Sequence, residues 1–145
     1  MSEKSISEVI AHWAAGLEVA DLPARAREAV ANTITDTVAL SIASVETDYG
    51  QAVRDASRTP GECTVFGAPE TRSAYEAALI NGTTAHGEDF DNTYEGCPVH
   101  SGVVIVPALF AAGEADGLPS DRVALGIAVG IEVMCRLGAA AKKSV

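Results

Sequence analysis

Apolar residues recur at helical spacing through most of this chain. Ile6, Val9, Ile10, Trp13, Ala14 and Leu17 fall on one face of a first helix, and Ser5 with Glu8 makes a capping-box pattern ahead of it. Asp21-Leu22-Pro23 opens a second helix, with Pro23 near the first helical position, where its missing N–H costs little. Between Ala24 and about Ser44 a stripe of Ala26, Val30, Ile34, Val38 and Ile42 predicts the buried face. Thr33, Thr35 and Thr37 lower the intrinsic propensity there, so packing must support this helix.

A weaker helix is expected over Tyr49–Ser57, stopped by Thr59-Pro60-Gly61. Cys63–Phe66 reads as a short extended piece ended by Gly67. Ser73 and Glu76 make a second capping-box pattern, which predicts a helix from Ala74 to about His86. Ser101 is placed to cap a helix through Val103–Asp116, with Pro107 predicting a kink or a late start near Val106. A last helix runs from Ser120 or Asp121 to about Ala141, where Gly126 and Gly130 allow another helix to come close. The expectation is an all-α bundle of five to six helices with almost no strand. That last helix is apolar nearly all round, which calls for burial on every side. The chain therefore reads as the incomplete N-terminal portion of a larger helical domain, or as completed by a partner.

The stretch Asn81–His100 has a different character. It holds His86, Glu88, Asp89, Asp91, Thr93, Tyr94, Glu95, Cys97 and His100 between alanine-rich helices. A loop so dense in titratable groups on a rigid scaffold is where catalytic groups tend to sit. The C-terminal end of the preceding helix also favours a protonated histidine at 86.

Charge narrows the partners. Twenty acids against ten bases give a formal net charge of −10, which argues against nucleic acid and anionic membrane surfaces. Three scattered cysteines without a CxxC pair, and a polar N-terminus without an apolar signal core, lead us to expect a cytoplasmic protein.

Several motifs fail on inspection. Asp89-x-Asp91-x-Thr93 begins like a calcium loop, but Tyr94 stands where glycine is required and His100 where a bidentate Glu is required. No nucleotide-binding or nucleophile-elbow pattern is present. A divalent-metal site using His86, His100 and some of Glu88, Asp89 and Asp91 is chemically possible but lacks diagnostic spacing. Cys97 with His100 is a poor nucleophile pair at that separation in a loop. What remains is acid–base chemistry: His100 with Asp89 or Asp91, if the loop folds back on itself. Removing a proton beside a carboxylate also needs a cation, and no Lys or Arg occurs between Arg72 and Arg122. Those cations are expected from outside this stretch.

Asn81-Gly82-Thr83-Thr84-Ala85-His86, Asp89-Phe90-Asp91-Asn92-Thr93 and His100-Ser101-Gly102, followed by Val106-Pro107-Ala108, resemble the MmgE/PrpD family. Its usual pattern is an NGxxAH helix end, a DFDDT segment and a later histidine before an apolar helix containing proline. Trp13 with Gly16-Leu17, and Glu132-Val133-Met134-Cys135-Arg136-Leu137-Gly138, also look like family features. The resemblance implies cofactor-independent dehydration, decarboxylation or epimerisation of small di- and tricarboxylates. It casts His100 as acid/base or carboxylate ligand, Thr93 as a substrate hydrogen-bond donor and Asp89 as the orienting or proton-handling carboxylate. His86, Asp91 and Ser101 become substrate-binding or supporting residues. Asn92 departs from the usual second Asp of DFDDT. The wording around His86 and His100 leans towards the epimerase-like branch. The family further implies homodimers and a longer chain with a lid domain, so residues 1–145 alone are expected to hold half an active site and little activity. Two alternatives stay open: a helical interaction module without chemistry, and the divalent-metal site.

Overall fold

Helix caps fix where the first elements begin. The computed structural model describes residues 4–141. Helix α1 spans Ile6–Gly16, and both halves of the Ser5–Glu8 capping box form, with the Ser5 N–H donating to Glu8 at 2.7 Å. A short 3₁₀ turn at Val19–Asp21 leads into α2, Ala24–Ser44, whose N-cap is Pro23. Helices α3 (Asp48–Ala56), α4 (Ala74–His86), α5 (Ser101–Asp116) and α6 (Ser120–Ala140) follow. Among the described residues the only sheet is an antiparallel pair, β1 (Cys63–Thr64) with β2 (Thr71–Arg72). The fold is all-α, with six helices as expected. The strand at 71–72 was not anticipated, because two residues carry no period.

The centre of the molecule is α4, packed chiefly between α5 and α2, with α6 on the far side of α5. Val30, Val106 and Ile127 form one buried cluster; Cys63, Ala77 and Ala111 form another. Here α2 departs from the predicted stripe. Its buried positions are Val30, Thr33, Thr37, Ser41 and Ser44, while Ile42 is 51% exposed. Short hydroxyl side chains let α2 approach its neighbours closely, and Ser41 hydrogen-bonds Thr84 of α4 at 2.6 Å. Thr37, by contrast, is buried with no partner for its hydroxyl.

Helix α5 begins at Ser101, not near Val106, and His100 rather than Ser101 is its N-cap. Pro107 sits inside it. Lacking an N–H, Pro107 leaves the carbonyl of Val103 without its usual donor. That carbonyl faces Gly82 of α4, where an added Cβ would lie only 3.0 Å away. The other face of α5 meets α6 through the anticipated glycines. Leu109 lies over Gly126 and Ile105 over Gly130, both within 3 Å of where a Cβ would be.

Helix α6 is nonetheless poorly covered: only 11% of its most apolar window is buried. It is the one described helix long and apolar enough to cross a membrane, by length and composition alone. Its exposed face carries the Arg136–Glu132 ion pair. An apolar groove of about 460 Å³ between α1 and α6, lined by Ile6, Val9, Trp13 and Leu137, lies open. Lys142–Val145 fall outside the described residues.

Candidate active site

The acidic loop does fold back. Helix α4 ends at His86, and the N–H of Asp89 returns to the His86 carbonyl at 2.8 Å. Asp89 takes a left-handed backbone, φ 56°, a conformation that Asp tolerates better than most residues. The chain reverses there and brings Asp91 underneath the helix end. Further on, Tyr94 and Val99 pair across a small bridge, returning the chain to His100 at the start of α5. Two helix ends and two turns thus converge on one point.

At that point stands Asp91, with a side chain fully shielded from solvent. One carboxylate oxygen meets Nδ1 of His86 at 2.9 Å and the other meets Nδ1 of His100 at 2.9 Å. A carboxylate can only accept, so both imidazoles carry their proton on Nδ1 and leave Nε2 free. The rings lie edge to face, with centroids 5.0 Å apart. Burying a carboxylate is costly unless it is fully hydrogen-bonded. Here two donors occupy both oxygens, which in turn fixes the rotation of both rings.

Thr93 Oγ1 lies 3.4 Å from His100 Nε2, and Asp89 reaches within 3.9 Å of the same nitrogen. The Asp89 side chain is 78% exposed, so of the two carboxylates considered for His100, Asp91 makes the orienting contact and Asp89 faces the open side. Ser101 is buried, and its hydroxyl neighbours the Cys135 thiol of α6. Burial pushes that thiol up; the Ser101 hydroxyl opposes the shift and nearby Cys97 adds to it. Cys97 itself packs against Gly138 of α6.

Sequence reasoning missed two supports. Tyr49 of α3 lies flat against Gly87, where an added Cβ would come 2.2 Å from its ring, and its hydroxyl donates to Glu88 at 3.0 Å. Asn92 bridges elements as well. Its amide nitrogen reaches Thr33 of α2 at 3.4 Å, and its oxygen lies against Gly102 in the first turn of α5. Nothing in the spacing of Tyr49 or Thr33 signals either contact. Among the described residues, no Lys or Arg stands among the groups that meet Asp91 or His100.

The MmgE/PrpD N-terminal domain matches residues 8–144. The chain belongs to the MmgE/PrpD family. Human cis-aconitate decarboxylase is 33% identical over 147 residues, covering 94% of this chain and 30% of that protein. Cis-aconitate decarboxylase of Aspergillus terreus is 26% identical over 116 residues, covering 78% of this chain and 24% of its own. A cis-aconitate decarboxylase-like protein of Aspergillus oryzae, oryM, is 27% identical over 115 residues. This MmgE/PrpD chain thus spans about a quarter to a third of the length of these relatives. No solved structure matches it.

Proposed function

We propose that the chain carries the histidine–carboxylate half of a lyase site for small unsaturated di- and tricarboxylates, cis-aconitate being the first candidate. The observation that carries this reading is the contact of His100 Nδ1 with buried Asp91 at 2.9 Å, which aims a basic Nε2 towards Thr93 and the open side. In this role His100 holds a substrate carboxylate or moves a proton to or from the adjacent carbon through Nε2, Asp91 stabilises the imidazolium, and Thr93 donates to a substrate oxygen. The charge that builds on the substrate needs cations, which we assign to sequence beyond these residues or to a second copy. Decarboxylation is favoured over dehydration and epimerisation by the relatives, all three of which carry cis-aconitate decarboxylase in their names.

The test is a titration of the chain with cis-aconitate, followed by histidine side-chain NMR, with acetate as control. Saturable movement of the His100 signals with cis-aconitate alone is expected. Equal response to acetate, or none to either, would overturn the reading.

A second reading is a divalent-metal site, because ligand atoms of His86, Asp89, Asp91 and His100 lie within 4.8 Å of one another. A metal would compete for the Asp91 oxygens that the two Nδ1 protons now occupy. Metal analysis of the purified protein, with zinc and manganese titrations, separates the two readings.

A further inference from the structure

We propose that His86 is a second acid–base group of the same site, so that the proton removed from substrate and the proton returned to product pass through different residues. This rests on the lyase reading above and extends it to a residue at the end of a different helix. Three observations carry it. Both imidazoles are held through Nδ1 at 2.9 Å by opposite oxygens of one shielded carboxylate, so both expose Nε2 in the same tautomer. Their rings are 5.0 Å apart between centroids, close enough to address neighbouring atoms of one small substrate. They differ in access: the His86 side chain is 51% exposed and that of His100 only 25%.

The difference in access assigns the roles. His86 also borders an open cavity of about 690 Å³ with Tyr49, Thr83, Val103 and Val104, through which solvent can recharge it. His100, beside Thr93, is the shielded base. In the forward step a C–H bond of the substrate breaks, its proton goes to His100 Nε2, and the electron pair spreads into the adjacent double bond and carboxylate. The pair then forms a C–H bond at another carbon with the proton on His86 Nε2. Where a carboxylate leaves as CO₂ instead, no C–H bond breaks: the C–CO₂ bond supplies the pair, which takes that same His86 proton, and His100 holds a remaining substrate carboxylate rather than accepting a proton. One proton enters from solvent through His86 for each new C–H bond, and in the shift the proton taken by His100 is released to solvent, so atoms and charge balance.

The test uses the protein complete with the portion or second copy that supplies the cations, as wild type, His86→Gln and His100→Gln, with cis-aconitate in D₂O, scoring methylene exchange and net conversion separately. For His100→Gln both should fall. For His86→Gln exchange should stay within a few-fold, while conversion falls by about a hundredfold or more. Conversion by His86→Gln at the wild-type rate would overturn the inference. So would loss of exchange together with conversion, which would reduce His86 to a support for His100. Independently of turnover, ¹⁵N NMR of neutral His86 should show the proton on Nδ1, and a proton on Nε2 would overturn the inference. A wild type so completed but inert towards every di- and tricarboxylate would overturn both this and the lyase reading, whereas an unaffected His86→Gln would overturn this one alone.

Discussion

Asp91 has two acceptor oxygens and two imidazole donors, which makes its replacement informative in a way that most aspartates are not. An amide at 91 can accept from one Nδ1–H, but its NH₂ must face a ring nitrogen that accepts. Asp91→Asn should therefore flip one of the two histidines to the Nε2–H tautomer, visible in long-range ¹H–¹⁵N spectra, and cost about 2–4 kcal/mol in chemical denaturation. Asp89→Asn should cost under about 0.5 kcal/mol and leave both tautomers in place, because that side chain lies in solvent. If the Asp89 substitution flipped a histidine, the assignment of the orienting carboxylate to Asp91 would be wrong. The sequence located this cluster by its density of titratable groups. Which carboxylate meets which nitrogen was not legible, because it depends on the left-handed turn at Asp89, and spacing alone allows Asp89 and Asp91 equally.

At the scale of elements, periodicity located the helices and misjudged one face. In α2 the every-fourth apolar stripe is real, yet the buried side is Thr33, Thr37 and Ser41, chosen by close approach to α4 and α5 rather than by hydrophobicity. Thr37 therefore has a hydroxyl that is desolvated without a partner. Thr37→Val should raise stability by about 1 kcal/mol, measured as a higher denaturation midpoint; a loss would mean that the hydroxyl finds a partner. Gly102→Ala should act oppositely. Its Cβ would lie 2.7 Å from the Asn92 oxygen and 2.9 Å from Thr33. A cost of about 1–3 kcal/mol and displacement of the neighbouring Thr93 are expected. Pro107 does not delay the start of α5 to Val106: the helix runs through it, with Gly82 close against the Val103 carbonyl that Pro107 leaves free.

A pH-sensitive clasp ties α3 to the β1–β2 hairpin. Arg54 donates to Glu70 at 2.7 Å and pairs with Glu46. Arg54 holds the Glu70 carboxyl below its ordinary value, burial opposing part of the effect. A carboxyl with a depressed folded value binds fewer protons folded than unfolded. Its stabilisation is therefore present above the unfolded value, near 4.3, and is lost as pH falls through the folded one. Glu70→Gln should be less stable than wild type by about 1 kcal/mol at pH 7. The difference should shrink below about pH 4. A gap that persists at pH 3 would show that the carboxylate charge is not what Arg54 uses.

Over the whole molecule, the site and the uncovered surfaces tell the same story. The histidine–carboxylate cluster is assembled by α4, α5 and the turns between them, yet among the described residues no Lys or Arg pairs with it. Helix α6 and the α1–α6 groove present apolar surface to solvent. The relatives are three to four times as long as this chain by the shares covered. The most direct measurement is a long-range ¹H–¹⁵N spectrum of the histidine side chains, recorded without and with cis-aconitate. The account predicts Nδ1–H for both His86 and His100 in the free protein and a saturable response at His100 Nε2 on adding ligand. A proton on Nε2 of His100, or no response at that nitrogen, would contradict it.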